Sequence, residues 1–168
     1  MSGFDAPPAS PLASRVFGFE ADFAGDLRCL PMAVRRKLDL AGVKLKLAHW
    51  HGLAEHERRR LLSWSDDALA LSELHHWLLE RSQSLPQGPA KPLTIAADAP
   101  WRQRDSLPEV VQASCRQLGL TPRAEGWPGL DELQRFALVK LSHAGHEHRN
   151  LPKALEEFGL LPPEASIS

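Results

Sequence analysis

Three histidines and a carboxylate fall close together at His143, His146, Glu147 and His148. Imidazole nitrogens and a carboxylate oxygen suit Zn²⁺ or another first-row divalent ion, so this loop is a candidate metal site. Its spacing matches no standard metal motif, and a Gly-containing loop rich in His also reads as plain solvated surface. His49-x-His51 is a further source of ligands. The other reactive group is Cys29, beside Arg28 and just ahead of Leu30-Pro31. If a helix starts there, its dipole and the neighbouring cation favour the thiolate; the alternative is a small, partly buried residue. Arg28, Arg35, Arg36, Lys37, Lys44 and Lys46 form a local basic region, either a docking face for an acidic partner or a solvated helix face. Catalytic templates are missing from the sequence. It has no phosphate loop, Gly-x-Gly-x-x-Gly, Cys-x-x-Cys, His-Glu-x-x-His or Gly-x-Ser-x-Gly.

Helices must position these groups. Leu30, Val34, Leu38 and Ala41 recur on one helical face, with Arg35, Arg36 and Lys37 expected to point away from it. Pro31 suits the first turn and Gly42 the stop. Further helices are expected near 54–63, 66–82, 107–118, 131–142 and 152–158. The segment 133–141 is apolar nearly all round, as a central buried helix should be. Phe17, Phe19 and Phe23 alternate with Glu20 and Asp22, which predicts an extended segment with the rings inward. Residues 84–105 hold Pro86, Pro89, Pro92 and Pro100 with little periodicity and read as a linker.

One motif occurs twice. A shift of 77 positions aligns Leu30–Leu62 with Leu107–Val139 and pairs Pro31 with Pro108, Gly42 with Gly119 and Trp50 with Trp127. Glu55/Glu132 and Arg58/Arg135 complete a shared Trp-x-Gly-Leu-x-Glu-x-x-Arg. Each Glu–Arg pair is spaced to share a helix face, so Arg58 and Arg135 read equally as structural residues. The expected fold is therefore all-α: two pseudo-symmetric helical repeats from an internal duplication, packed as one compact domain with an extended N-terminal segment. The expected boundaries are a disordered tail at 1–15, a first repeat at 16–82, a Pro-rich linker at 83–105 and a second repeat with a C-terminal helix at 106–168. In this alignment Cys29 faces Ser106, and Ser106 with Glu109 has the spacing of a capping box.

The bulk properties exclude several classes. A formal charge of −1 gives no basic field for nucleic acid or an anionic membrane. No apolar run approaches the roughly 20 residues of a membrane-spanning helix. Two cysteines are too few for a disulfide framework, and the N-terminus lacks a signal-peptide pattern, so a cytoplasmic location is expected.

Two blocks of the sequence resemble a known family. Phe19-Glu-Ala-Asp-Phe23, Leu27-Arg-Cys-Leu-Pro-Met-Ala-Val-Arg35, Lys37-Leu-Asp39 and Gly42-Val-Lys-Leu-Lys-Leu47 are similar to the first block of the nitrate reductase-associated proteins. Leu133-Gln-Arg-Phe-Ala-Leu-Val-Lys-Leu-Ser142, Gly145-His-Glu147, Asn150 and Ala154-Leu-Glu-Glu-Phe-Gly-Leu160 resemble its C-terminal block. The resemblance implies a non-enzymatic accessory factor, needed for activity of the molybdenum-dependent assimilatory nitrate reductase and acting by protein–protein contact. On that reading Arg28, Cys29, Arg35, Arg36, Arg135 and Asn150 are candidate partner-binding residues, and no cofactor is required. The alternative is a metal- or cofactor-binding protein using His143–His148. An Arg is common in the family at the position of His143, and position 148 varies, which leaves His146 and Glu147 as the core of that alternative.

Overall fold

The computed structural model describes residues 11–143 and 149–162. They are mainly helical, with a single two-stranded pairing among the described residues. The chain divides into two compact units, Met1–Ile95 and Ala96–Ser168.

In the first unit, short α1 (Ala21–Ala24) precedes α2 (Met32–Ala41), α3 (Leu47–Gly52), α4 (Glu55–Ser63) and α5 (Ala68–Arg81). Val34, Leu38 and Ala41 of α2 meet Trp50, Leu53, Leu61, Leu74 and Leu78 in one core. Helix α2 stops at Gly42, whose φ of 75° lies in the left-handed region. A Cβ there would also come within 2.9 Å of the Leu93 carbonyl oxygen, so glycine is required twice over. The chain then pairs β1 (Val43–Lys44) antiparallel with β2 (Lys91–Pro92), in the register Val43↔Pro92 and Lys44↔Lys91. The Pro-rich stretch thus enters the first unit, where Leu85 and Ala90 are buried.

Two expectations fail in this unit. Residues 16–23 are not extended: Gly18–Glu20 forms a 3₁₀ turn that runs into α1. Phe17 and Phe19 are buried as expected, but the segment coils because Glu20 folds back. Its carboxylate, 1% exposed, accepts the backbone N–H of Phe17 at 3.0 Å and that of Met32 at 2.9 Å. One side chain therefore closes the turn and satisfies an orphan donor of α2.

Arg36 and Lys37 do not point to solvent either; they are 6% and 0% exposed. Lys37 stands three residues after Val34 and four before Ala41, which places it within the buried stripe rather than behind it. Its Nζ donates to the carbonyls of Leu61 at 2.6 Å, Leu62 at 2.7 Å and Trp64 at 2.8 Å. An ammonium thus caps the C-terminus of α4, where acceptors are unsatisfied and the dipole favours a cation. Arg36 pairs with Asp66 at 3.0 Å, so neighbouring side chains of α2 grip the loop after α4.

The second unit contains α6 (Glu109–Gln117), α7 (Glu132–Leu141) and α8 (Leu151–Glu157). Helix α7 is buried nearly all round, as its sequence predicts. Asp131 and Gln134 close its N-terminus as a capping box, with reciprocal bonds of 2.8 and 2.9 Å. Trp101 packs edge-to-face on Phe136 with centroids 5.2 Å apart. The capping box expected of Ser106 is absent; α6 starts two residues further on, with Pro108 as its N-cap and no side-chain cap.

The two copies of the motif share an element order. Each has a helix preceded by Pro, a glycine at φ 75° or 71°, a short turn bearing Trp, and a second helix bearing Arg. The Trp-bearing turn is α-helical at Leu47–Gly52 but 3₁₀ at Ala124–Gly129, which contains Pro128. No helix of the described residues is long and apolar enough to cross a membrane.

Candidate functional site

The shared Trp and Arg explain what the motif does locally. In the first unit, Trp50 Nε1 donates to the Leu27 carbonyl at 2.8 Å, and Arg58 Nη1 donates to the same oxygen at 3.0 Å. In the second, Trp127 Nε1 donates to the Gln103 carbonyl at 2.9 Å. There Arg135 donates to the carbonyls of Trp101 and Leu130 at 3.0 and 2.6 Å. Each motif holds the strand of chain that leads into its own first helix.

The held segments differ. Leu27 has a φ of 66°, the one non-glycine in the left-handed region among the described residues. That conformation costs an L-residue roughly 1–2 kcal/mol. It persists because the Leu27 side chain is buried, its carbonyl takes two donors and its N–H bonds the Ala24 carbonyl at 3.0 Å. The bend displays the next residues. Arg28 is exposed; its guanidinium pairs with Asp26 at 2.9 Å and donates to the Asp22 carbonyl at 2.7 Å. The Arg28 N–H, then its guanidinium, holds the Asp26 carboxyl below the usual carboxylate range. His51 Nε2 lies 2.8 Å from the Arg28 carbonyl. A carbonyl only accepts, so Nε2 carries the proton in this bond. The turn therefore gathers a guanidinium, a carboxylate, an imidazole and, at half-buried Cys29, a thiol.

Cys29 is not where the helix dipole would act on it. It lies two residues ahead of the α2 N-cap, Pro31, and the carboxylate of Glu20 occupies the first amide of that helix. Its accessibility still separates it from Cys115, which is buried and whose thiol burial pushes up. In the folded protein, iodoacetamide is expected to modify Cys29 and leave Cys115 untouched, with both reacting after denaturation. Intact-mass analysis reads the adducts, and native alkylation of Cys115 would contradict the burial.

The remaining sequence candidates scatter. Arg36 is consumed by Asp66 and is unavailable to a partner. Arg135 is 5% exposed and bound to two carbonyls, and desolvation lowers its pKa. Arg35 is half-buried on α2, and Asn150, also half-buried, precedes α8 without a side-chain cap bond. Of the metal candidates, His143 is exposed, while His146, Glu147 and His148 lie outside the described residues. His49 is no metal ligand in this arrangement. Its Nδ1 accepts from the Lys46 N–H at 3.1 Å, and its Nε2 is 3.0 Å from the Gly88 carbonyl. Among the described residues no group of His, Cys, Asp and Glu is placed to hold a metal.

The left-handed Leu27 was not anticipated. The one cue in the sequence is Gly25-Asp26 ahead of it, a turn-forming pair. Nor does the sequence show that Trp50 and Arg58 converge on a single oxygen.

No curated protein and no solved structure matches the chain. The family model described as conserved nitrate reductase-associated protein matches residues 16–158 of the 168. That range holds the held turn, both copies of the motif and the helices that carry them, and the chain belongs to the conserved nitrate reductase-associated protein family.

Proposed function

We propose that this protein is a non-enzymatic accessory factor of the molybdenum-dependent assimilatory nitrate reductase, acting by direct contact through the Leu27–Cys29 turn. Family membership supports the partner. The observation that supports the surface is the turn itself: a left-handed leucine, held by Trp50 and Arg58, that displays Arg28 and Cys29. Backbone strain maintained by converging donors marks sites where a fixed display matters more than local stability. In the second unit Trp127 and Arg135 hold separate carbonyls, and its described residues contain no such bend.

The test is complementation. Loss of this protein should lower nitrate reductase activity, wild type should restore it, and Arg28→Glu should fail while remaining folded by circular dichroism. Co-purification of the reductase should follow the same pattern. Unchanged reductase activity without the protein would remove the reading. A factor that acts by contact needs no metal, so protein purified without a His tag should carry none in stoichiometric amount. A bound metal lost on His146→Ala would favour the metal-binding alternative instead.

A further inference from the structure

A second surface of the first unit has the make-up of a binding site and plays no part in the turn described above. The Arg60 guanidinium carbon lies 4.8 Å from the Trp64 ring centroid and 5.3 Å from that of Trp77. The two indoles are 5.8 Å apart and tilted by 38°. A shallow surface pocket is lined by Arg60, Ser63, Trp64 and Ser65.

Arg60 differs from its neighbours in what it lacks. Arg36 pairs with Asp66, Arg59 with Glu55 and Arg81 with Glu57, while Arg58 bonds the Leu27 carbonyl. Arg60 is exposed, and its guanidinium has no hydrogen-bond or ion-pair partner among the described residues; it only lies over the rings. A guanidinium held over aromatic faces keeps its N–H fork for other acceptors, the edge that takes a carboxylate with two bonds. The platform is also rigid. Trp64 Nε1 donates to the Ala70 carbonyl at 2.7 Å, its own carbonyl accepts from Lys37 at 2.8 Å, and Asp66 is pinned by Arg36. An aromatic pair with an arginine, already ordered, is the usual composition of a binding hot spot.

We infer that Arg60, Trp64 and Trp77 form a docking site for a carboxylate-bearing segment of a protein partner, an Asp or Glu flanked by apolar side chains. The carboxylate sits on the Arg60 fork and the apolar neighbours cover the exposed parts of the indoles, which are half-buried against the core. Charge complementarity favours this occupant over a polyphosphate chain. A single guanidinium with a two-pronged edge matches one carboxylate, whereas a run of phosphates is held by several cations at once. The inference does not depend on the partner being nitrate reductase.

The experiment is a heteronuclear NMR titration of the full chain with an acetylated peptide of alternating glutamate and leucine, following the five indole N–H signals. The expected result is a shift of the Trp64 and Trp77 signals that weakens with salt. Arg60→Glu should lower the affinity by about tenfold or more, and Arg60→Lys, which keeps the charge but loses the fork, by less. No peptide-dependent shift, or equal affinity in Arg60→Glu, would overturn the inference. So would equal binding of the peptide with glutamine in place of glutamate, or acetate alone binding as well as the peptide. None of these outcomes touches the Arg28→Glu complementation, so the two surfaces stand or fall separately.

Discussion

Replacing Lys37 by Met is expected to destabilise the first unit by about 2–4 kcal/mol, measured by urea denaturation near neutral pH. Methionine fills the space of the stem but donates nothing, which orphans the carbonyls of Leu61, Leu62 and Trp64 at the end of α4. Each buried unsatisfied acceptor costs roughly 1–3 kcal/mol, and removing a desolvated charge recovers part of that loss. The acceptors win because three of them depend on one nitrogen. Burial pushes the Lys37 ammonium down to about 7 from 10.5, against the opposing pull of Asp66. Between those values the unfolded chain binds a proton that the folded one has released, so stability rises with pH across that window. The wild-type advantage over Lys37→Met should therefore widen as pH rises from 7 toward 10.5, read as a growing gap between the two urea midpoints. A variant as stable as wild type would mean that water, not Nζ, satisfies α4. Lys37→Met should also loosen Trp64, whose carbonyl loses its donor, and so weaken the docking site beside it.

Trp50→Ala should be at least as costly, about 3–5 kcal/mol, since this indole is 0% exposed and among the largest side chains of the core. Its second effect is local. The Leu27 carbonyl loses one of two donors, and a left-handed leucine held by Arg58 alone relaxes toward ordinary backbone. Cys29 alkylation should then accelerate in molecules that remain folded. Trp50→Phe separates the two effects. It retains most of the buried volume while removing the N–H, so a smaller loss of stability should accompany the same rise in Cys29 reactivity. Unchanged reactivity in Trp50→Phe would show that Arg58 suffices to hold the bend.

Much of the architecture was legible in the sequence, for physical reasons. Apolar spacing marked α2 and α7, because burying a stripe is what stabilises a helix. Gly42 and Gly119 marked helix stops, because a positive φ excludes most other residues. The paired Trp and Arg stood out because the motif recurred whole. At Lys37, residue type misled where spacing was right: the cation lay within the apolar stripe, but only a neighbouring helix end makes burial of an ammonium tolerable. At 16–23 the alternation of Phe with acids was real, but Glu20 found two backbone donors and coiled the segment.

The sequence by itself determined the helices, their stops and the residues that recur, because these follow from local sterics and periodic burial. Tertiary structure alone decided which charges are spent internally and which remain free. Arg36 and Arg60 look alike as residues, yet one is closed off by Asp66, thirty positions away, and the guanidinium of the other rests on two indoles with no ion-pair partner among the described residues. Arg28, paired with Asp26, is presented at the surface because Leu27 is bent by donors from α3 and α4. Whether a side chain's hydrogen-bonding capacity is used depends on partners brought near by the fold, and no local pattern encodes that.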